Sequence, residues 1–137
     1  MFPNSKTTPL SPQRTFITGA TGYIGRVGIE FAVAAGHTIR SLCRSTAGYT
    51  LLHSFGATPV RGTLSDSSIP TEEATSADMI SHLAFCHDRN IPYTDILELE
   101  ITAVDTLATA RICINKTLVI TGGTICVLPE PSGGETN

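Results

Sequence analysis

Charge is scarce in this sequence, and the scarcity excludes several functions at once. Charged residues make up 15% of the 137 residues, the net charge is −3, and no basic block or aromatic–basic alternation occurs. A nucleic-acid surface needs such a block, so no nucleic-acid partner is expected. No apolar run reaches the roughly 18 residues of a membrane span, so no membrane partner is expected either. The opening stretch "MFPNSKTTPLSPQR" lacks the long apolar core of a secretory signal. The four cysteines, Cys43, Cys86, Cys113 and Cys126, form no Cys-x-x-Cys pair and lie in or beside apolar segments. They read as reduced, mostly buried thiols of a cytoplasmic protein. No internal repeat is visible.

What is present suffices for one core. The apolar fraction is 41%, and the length is that of a single domain. Pro, Ser and Thr mark residues 1–13 as a flexible leader, and turn residues mark 129–137 as a frayed tail. That leaves 14–128 as the folded domain.

Apolar patterning along that domain alternates between two periods. "RTFIT" (14–18) reads as a buried strand. In the next segment Ile24, Val27, Gly28, Phe31 and Ala35 fall on one helical face, and Gly36 ends the helix. "HTIRSLC" (37–43) predicts a second strand, followed by a short helix at 48–55 and a strand at 58–62. "SIPTEEATSA" is a polar turn with weak helical character, and 78–85 is a fourth strand. Pro92 opens a long helix whose stripe is Leu97, Ile101, Val104, Ala108 and Ile112. "KTLVITGGT" (116–124) is the fifth strand with its exit turn. Strict strand–helix alternation implies an α/β fold, a doubly wound Rossmann-type parallel sheet. The expected strand order is 3-2-1-4-5, with the ligand crevice at the carboxyl ends of strands 1 and 4.

"TGATGYIG" sits where the first strand meets the first helix. Its glycines, Gly19, Gly22 and Gly25, are three apart. In a phosphate-binding turn the first glycine allows a sharp turn and the second lets backbone approach a pyrophosphate. The third lets helix and sheet pack closely. Free N–H groups at the helix start then attract the anion. The alternative is a tight strand–helix turn with no ligand.

This stretch resembles the glycine fingerprint of the extended short-chain dehydrogenase/reductases, the NAD-dependent epimerase/dehydratase family. "VRGTLSD" after the third strand and "ISHLAF" on the fourth resemble two further segments of that family. The resemblance covers residues 14–128, the cofactor-binding half of such enzymes. It implies a dinucleotide held by Gly19, Thr21, Gly22, Tyr23, Ile24 and Gly25 at the pyrophosphate. Arg44, Ser45 and Leu64 would lie on the adenosine side, and Leu83, Ala84, Phe85 and Thr121 along the crevice.

The end of the second strand bears on which dinucleotide. An acidic residue there commonly grips the adenosine ribose diol. This chain has Cys43, then Arg44 and Ser45. Arg44 can pair with a 2′-phosphate and Ser45 can add a hydroxyl, which favours NADP(H) over NAD(H). Where the family has an acidic residue after the third strand, this chain has Thr63, with Asp66 arriving later.

The family's catalytic Tyr-x-x-x-Lys is missing. Four residues beyond Tyr23, Tyr49 and Tyr93 stand Val27, His53 and Leu97. The lysine would lower the tyrosine pKa and the tyrosine would move the proton. Thr121 or Thr124 could stand in for the family's hydroxyl after strand five, and Glu100 stands near a family asparagine. His82, Cys86, His87 and Asp88 crowd together without common metal-ligand spacing, so neither a metal site nor a catalytic residue is assigned. The reading is a cofactor-binding domain cut short before the catalytic pair. The alternatives are a non-catalytic NADP(H) sensor or interaction module, or a degenerate gene product. An exposed strand-five edge would invite a second copy or a protein partner.

Overall fold

The computed structural model describes residues 11–112 and 115–121. The chain begins with β1 (Arg14–Thr18), α1 (Tyr23–Ala34), β2 (Thr38–Cys43), α2 (Thr46–Ser54) and β3 (Thr58–Arg61). It continues through α3 (Ser68–Ser76), β4 (Met79–His82), α4 (Tyr93–Ile112) and β5 (Thr117–Ile120). The strands form one parallel sheet in the order β3-β2-β1-β4-β5, as the alternation predicts. The first strand, β1, lies between β2 and β4, so the chain winds outward from it in both directions. Loops leaving the carboxyl ends of β1 and β4 therefore diverge and leave a crevice between them. Most of the predicted leader, the tail, Cys113, Thr124 and Cys126 lie outside the described residues.

Each sheet face carries its own core, because successive strand residues point to opposite sides. Phe16, Leu42 and Ile80 meet Ala74 of α3 with Leu107 and Ala110 of α4 on one face. Ile17, Ile39 and Cys43 meet Ile29 of α1 and Leu52 of α2 on the other. Burying a side chain the size of Phe16 or Ile80 contributes roughly 2–3 kcal/mol.

Two helices turn a different face inward from the one their hydropathy predicts. In α1 the buried residues are Gly25 and Ile29. Ile24 and Phe31, expected in the core, are 61% and 74% exposed. The reason is steric. The helix makes its closest approach where Gly25 has no side chain, and that approach selects the Gly25–Ile29 side. In α4 the buried residues are Ile96, Ala103, Leu107 and Ala110. Leu97, Ile101 and Ile112 of the predicted stripe are exposed. Small alanines let α4 approach the sheet, and Glu100 occupies the same side to reach His82. The strand β4 also ends earlier than predicted. After His82 only Leu83 still donates to the β1 backbone, through Thr18 O at 3.1 Å.

At the opposite end of the sheet the β1 entry is tied to β4. Asp78 accepts from the Arg14 N–H at 2.8 Å, and the Arg14 guanidinium lies 3.5 Å away. That backbone bond first, and the guanidinium second, hold the Asp78 carboxyl below the usual carboxylate range. A depressed carboxylate pKa contributes stability above the unfolded value of about 3.9, lost as pH falls through the folded one. Asp78→Asn is expected to lower stability by a constant amount from neutrality down to about pH 5, with the gap closing below about pH 4. Urea unfolding over a pH series measures it, and a gap that persists in acid would show a non-ionic origin.

Candidate functional site

The glycine turn stands where β1 leaves the sheet. Gly19 has φ of +73°, and a Cβ there would lie 2.5 Å from the Ala84 nitrogen. Only glycine accepts both the left-handed backbone and that contact. The Gly22 N–H donates back to Gly19 O at 3.1 Å, which closes the turn. Gly22 is the N-cap of α1, in extended conformation and with no side-chain cap. The first ladder bond runs from the Arg26 N–H to Gly22 O at 3.0 Å. The N–H groups of Tyr23, Ile24 and Gly25 therefore precede the helical ladder. A Cβ on Gly25 would lie 2.4 Å from the Ala20 Cα, so helix and turn touch backbone to backbone. These features make a short concave backbone surface with donors at its rim and the positive helix end behind it.

A buried hydrogen-bond chain supports the turn from below. Thr18 and His82 are fully buried at the ends of β1 and β4. Thr18 Oγ1 lies 2.7 Å from His82 Nδ1, and His82 Nε2 lies 2.9 Å from Glu100 Oε1. The carboxylate can only accept, so Nε2 carries the proton. In the neutral ring Nδ1 then accepts from the Thr18 hydroxyl. The Ala84 N–H approaches Thr18 Oγ1 at 3.5 Å. The chain runs from α4 through β4 to β1, directly under Gly19. It also engages both nitrogens of His82 and removes that residue from any metal site.

The other expected site residues are placed separately. Leu83 and Ala84 line the turn: Ala84 abuts Gly19, and Leu83 packs against the core beneath α1. Phe85 lies beyond them, exposed, with its ring centroid 5.2 Å from that of His87. Thr121 is exposed just past β5, and its N–H donates to His82 O at 3.2 Å. Leu64 is partly buried and packs against the core that α3 and α4 cover. Asp66 is engaged locally, accepting from the N–H and hydroxyl of Thr63 at 2.9 and 3.0 Å.

The end of β2 adjoins the glycine turn. A Cβ on Gly48, in the first turn of α2, would lie 3.3 Å from the Thr21 methyl. Ser45 caps α2, its oxygen accepting from the Gly48 N–H at 3.0 Å, while its hydroxyl proton remains free to donate. Arg44 is exposed. Beside it lies a cation that the motif reading missed. Arg61, the last residue of β3, donates to Thr46 Oγ1 at 2.9 Å and to Arg44 O at 3.4 Å. Its charge is felt at Cys43, whose thiol burial pushes up while Arg61 pulls it down. The parallel order 3-2-1 contained the signal, because it places the end of strand 3 beside the end of strand 2.

Comparison with known proteins follows this geometry. A family model described as the NmrA-like family matches residues 12–110. An uncharacterised protein of Schizosaccharomyces pombe is 31% identical over 111 residues, covering 81% of this chain and 37% of that protein. A 4-hydroxy-2-methyl-3-oxo-4-farnesyl-3,4-dihydroquinoline-1-oxide ketoreductase of Stigmatella aurantiaca is 37% identical over 71 residues. Those residues cover 52% of this chain and 21% of the ketoreductase. The Bordetella bronchiseptica enzyme WbmG, solved in complex with NAD and UDP, is similar in fold with a TM-score of 0.73 at 20% identity. The match covers 93% of this chain and 44% of WbmG. The chain thus spans less than half the length of each of these relatives.

Proposed function

Because the chain belongs to the NmrA-like family, and because its β1–α1 turn is shaped for an anion, we propose that this domain binds a nicotinamide dinucleotide, NADP(H) in preference to NAD(H). The observation that carries the proposal is the paired close approach of Gly19 to Ala84 and of Gly25 to Ala20. In this reading a pyrophosphate would meet the three N–H groups of Tyr23, Ile24 and Gly25. Thr21 and Gly22 would form the rim. Leu83, Ala84, Phe85 and Thr121 would line the path toward the nicotinamide, and the Leu64 backbone would meet the adenine. Arg44 and the free Ser45 hydroxyl proton would take a 2′-phosphate, with no carboxylate at the end of β2 to repel it. The bound dinucleotide would supply a hydride donor or acceptor. The residues described here would hold and orient it.

The ketoreductase relative supports an oxidoreductase as the activity of the whole protein. Within these 137 residues no tyrosine is followed four positions on by lysine, which favours nucleotide holding over chemistry for this stretch. Turnover of a carbonyl by the 137-residue chain would defeat that second reading.

Gly22→Asp tests the site. Gly22 has an extended N-cap conformation that aspartate accepts, but its Cβ would lie 3.3 Å from the Gly19 carbonyl oxygen, so the gain from a good N-cap is offset and urea unfolding is measured alongside binding. Its carboxylate would face the pyrophosphate and weaken binding by about tenfold or more. Calorimetry with NADPH and NADH reads this. Saturable binding by neither nucleotide would overturn the proposal.

A further inference from the structure

Arg61 is placed to act on the ligand as well as on the loop, and we propose that it is the second arm of a clamp for the phosphomonoester on the adenosine ribose, with Arg44 as the first. The inference rests on the dinucleotide reading above and adds the residue that would decide between the phosphorylated and unphosphorylated forms.

Three observations converge on the point where β2 ends. First, Arg61 lies in register with Cys43, so its Cα stands beside the residue that precedes Arg44. Second, its guanidinium is held across the loop by Thr46 Oγ1 and Arg44 O. A guanidinium has five N–H donors, so those two bonds leave others free to point outward. Third, the positive charge there is uncompensated. Among the described residues the ion pairs join Arg14 to Asp78 and Arg40 to Glu73, and neither Arg44 nor Arg61 takes part. The Arg61 guanidinium, the Arg44 backbone and the amino end of α2 meet at one corner of the crevice rim. A dianionic phosphate held there would accept charge-assisted bonds from Arg61 and from an Arg44 side chain turned to the same corner.

The rival account makes Arg61 a brace that only shapes the Arg44–Thr46 loop. The two accounts separate by charge. Arg61→Gln keeps a donor for Thr46 and loses the charge, whereas Arg61→Lys keeps the charge and loses the fork. Calorimetry of both variants with NADPH and NADH is the test. The clamp predicts that Arg61→Gln weakens NADPH by about tenfold and leaves NADH within about twofold. It also predicts that Arg61→Lys retains most of the NADPH preference, and that the wild-type preference shrinks as salt rises. Equal loss for both nucleotides in Arg61→Gln, or no loss for either, overturns the clamp. A wild-type chain that binds NADPH no better than NADH overturns the clamp but leaves dinucleotide binding standing. A wild-type chain that binds neither overturns both.

Discussion

Gly25→Ala is expected to destabilise this protein by about 3 kcal/mol and to abolish dinucleotide binding, although alanine is the better helix former. Intrinsic propensity alone would favour the substitution by about 1 kcal/mol. Packing reverses the sign. The new methyl would fall 2.4 Å from the Ala20 Cα and 2.7 Å from its carbonyl carbon and oxygen. All three are backbone atoms, so no side chain can rotate away, and either the turn or the helix must move. Moving either one displaces the N–H groups proposed to meet the pyrophosphate. Gly28 is the internal control. It lies one turn further along the same helix, and a Cβ there would meet nothing within 4 Å. Gly28→Ala is therefore expected to stabilise by about 0.5–1 kcal/mol and to leave binding unchanged. Urea unfolding of both variants checks the opposite signs. Equal effects would mean that the close approach of Gly25 does not govern α1 packing.

Removal of the His82 ring is expected to have a comparable cost. His82→Ala leaves a cavity under the turn, an unpartnered Thr18 hydroxyl and a Glu100 carboxylate without its donor. A buried group stripped of its partner costs roughly 1–3 kcal/mol, and the lost packing adds to that, so about 3–4 kcal/mol is expected. The chain also predicts coupling. Thr18→Val should cost less in the His82→Ala background than in the wild type, because the hydroxyl has already lost its acceptor. A double-mutant cycle reads that difference directly. Additive costs would show that Thr18 and His82 stabilise the β1 and β4 exits independently. Because Ala84 approaches both Thr18 Oγ1 and Gly19, His82→Ala is also expected to weaken nucleotide binding at neutral pH.

The order of elements was legible because it depends on local patterning. Apolar and β-branched runs marked the strands, and Gly36 stands at a helix end that the structure retains, whereas α2 starts at Thr46, ahead of the expected 48, because Ser45 caps it. The glycine turn was legible for the same reason: its shape depends on consecutive backbone conformations. The inward faces of α1 and α4 were not. Hydropathy weighs Ile24 and Phe31 heavily and gives Gly25 almost no weight, yet the residue with no side chain sets how close the helix can come. Glu100 was not legible either: its partner His82 lies on another element, and no local pattern pairs the two.

By itself, then, the sequence determined a parallel α/β sheet wound outward from its first strand, with a glycine-rich turn at the reversal of strand order. These features follow from residues close together along the chain, where period, turn chemistry and capping act. Only the tertiary structure decided which helix faces are buried, that Thr18, His82 and Glu100 form one chain beneath the turn, and that Arg61 stands beside Arg44. Each of those depends on strand register and on the closeness of backbone approach. Both arise when separate elements pack, and neither is written in the pattern of any one of them.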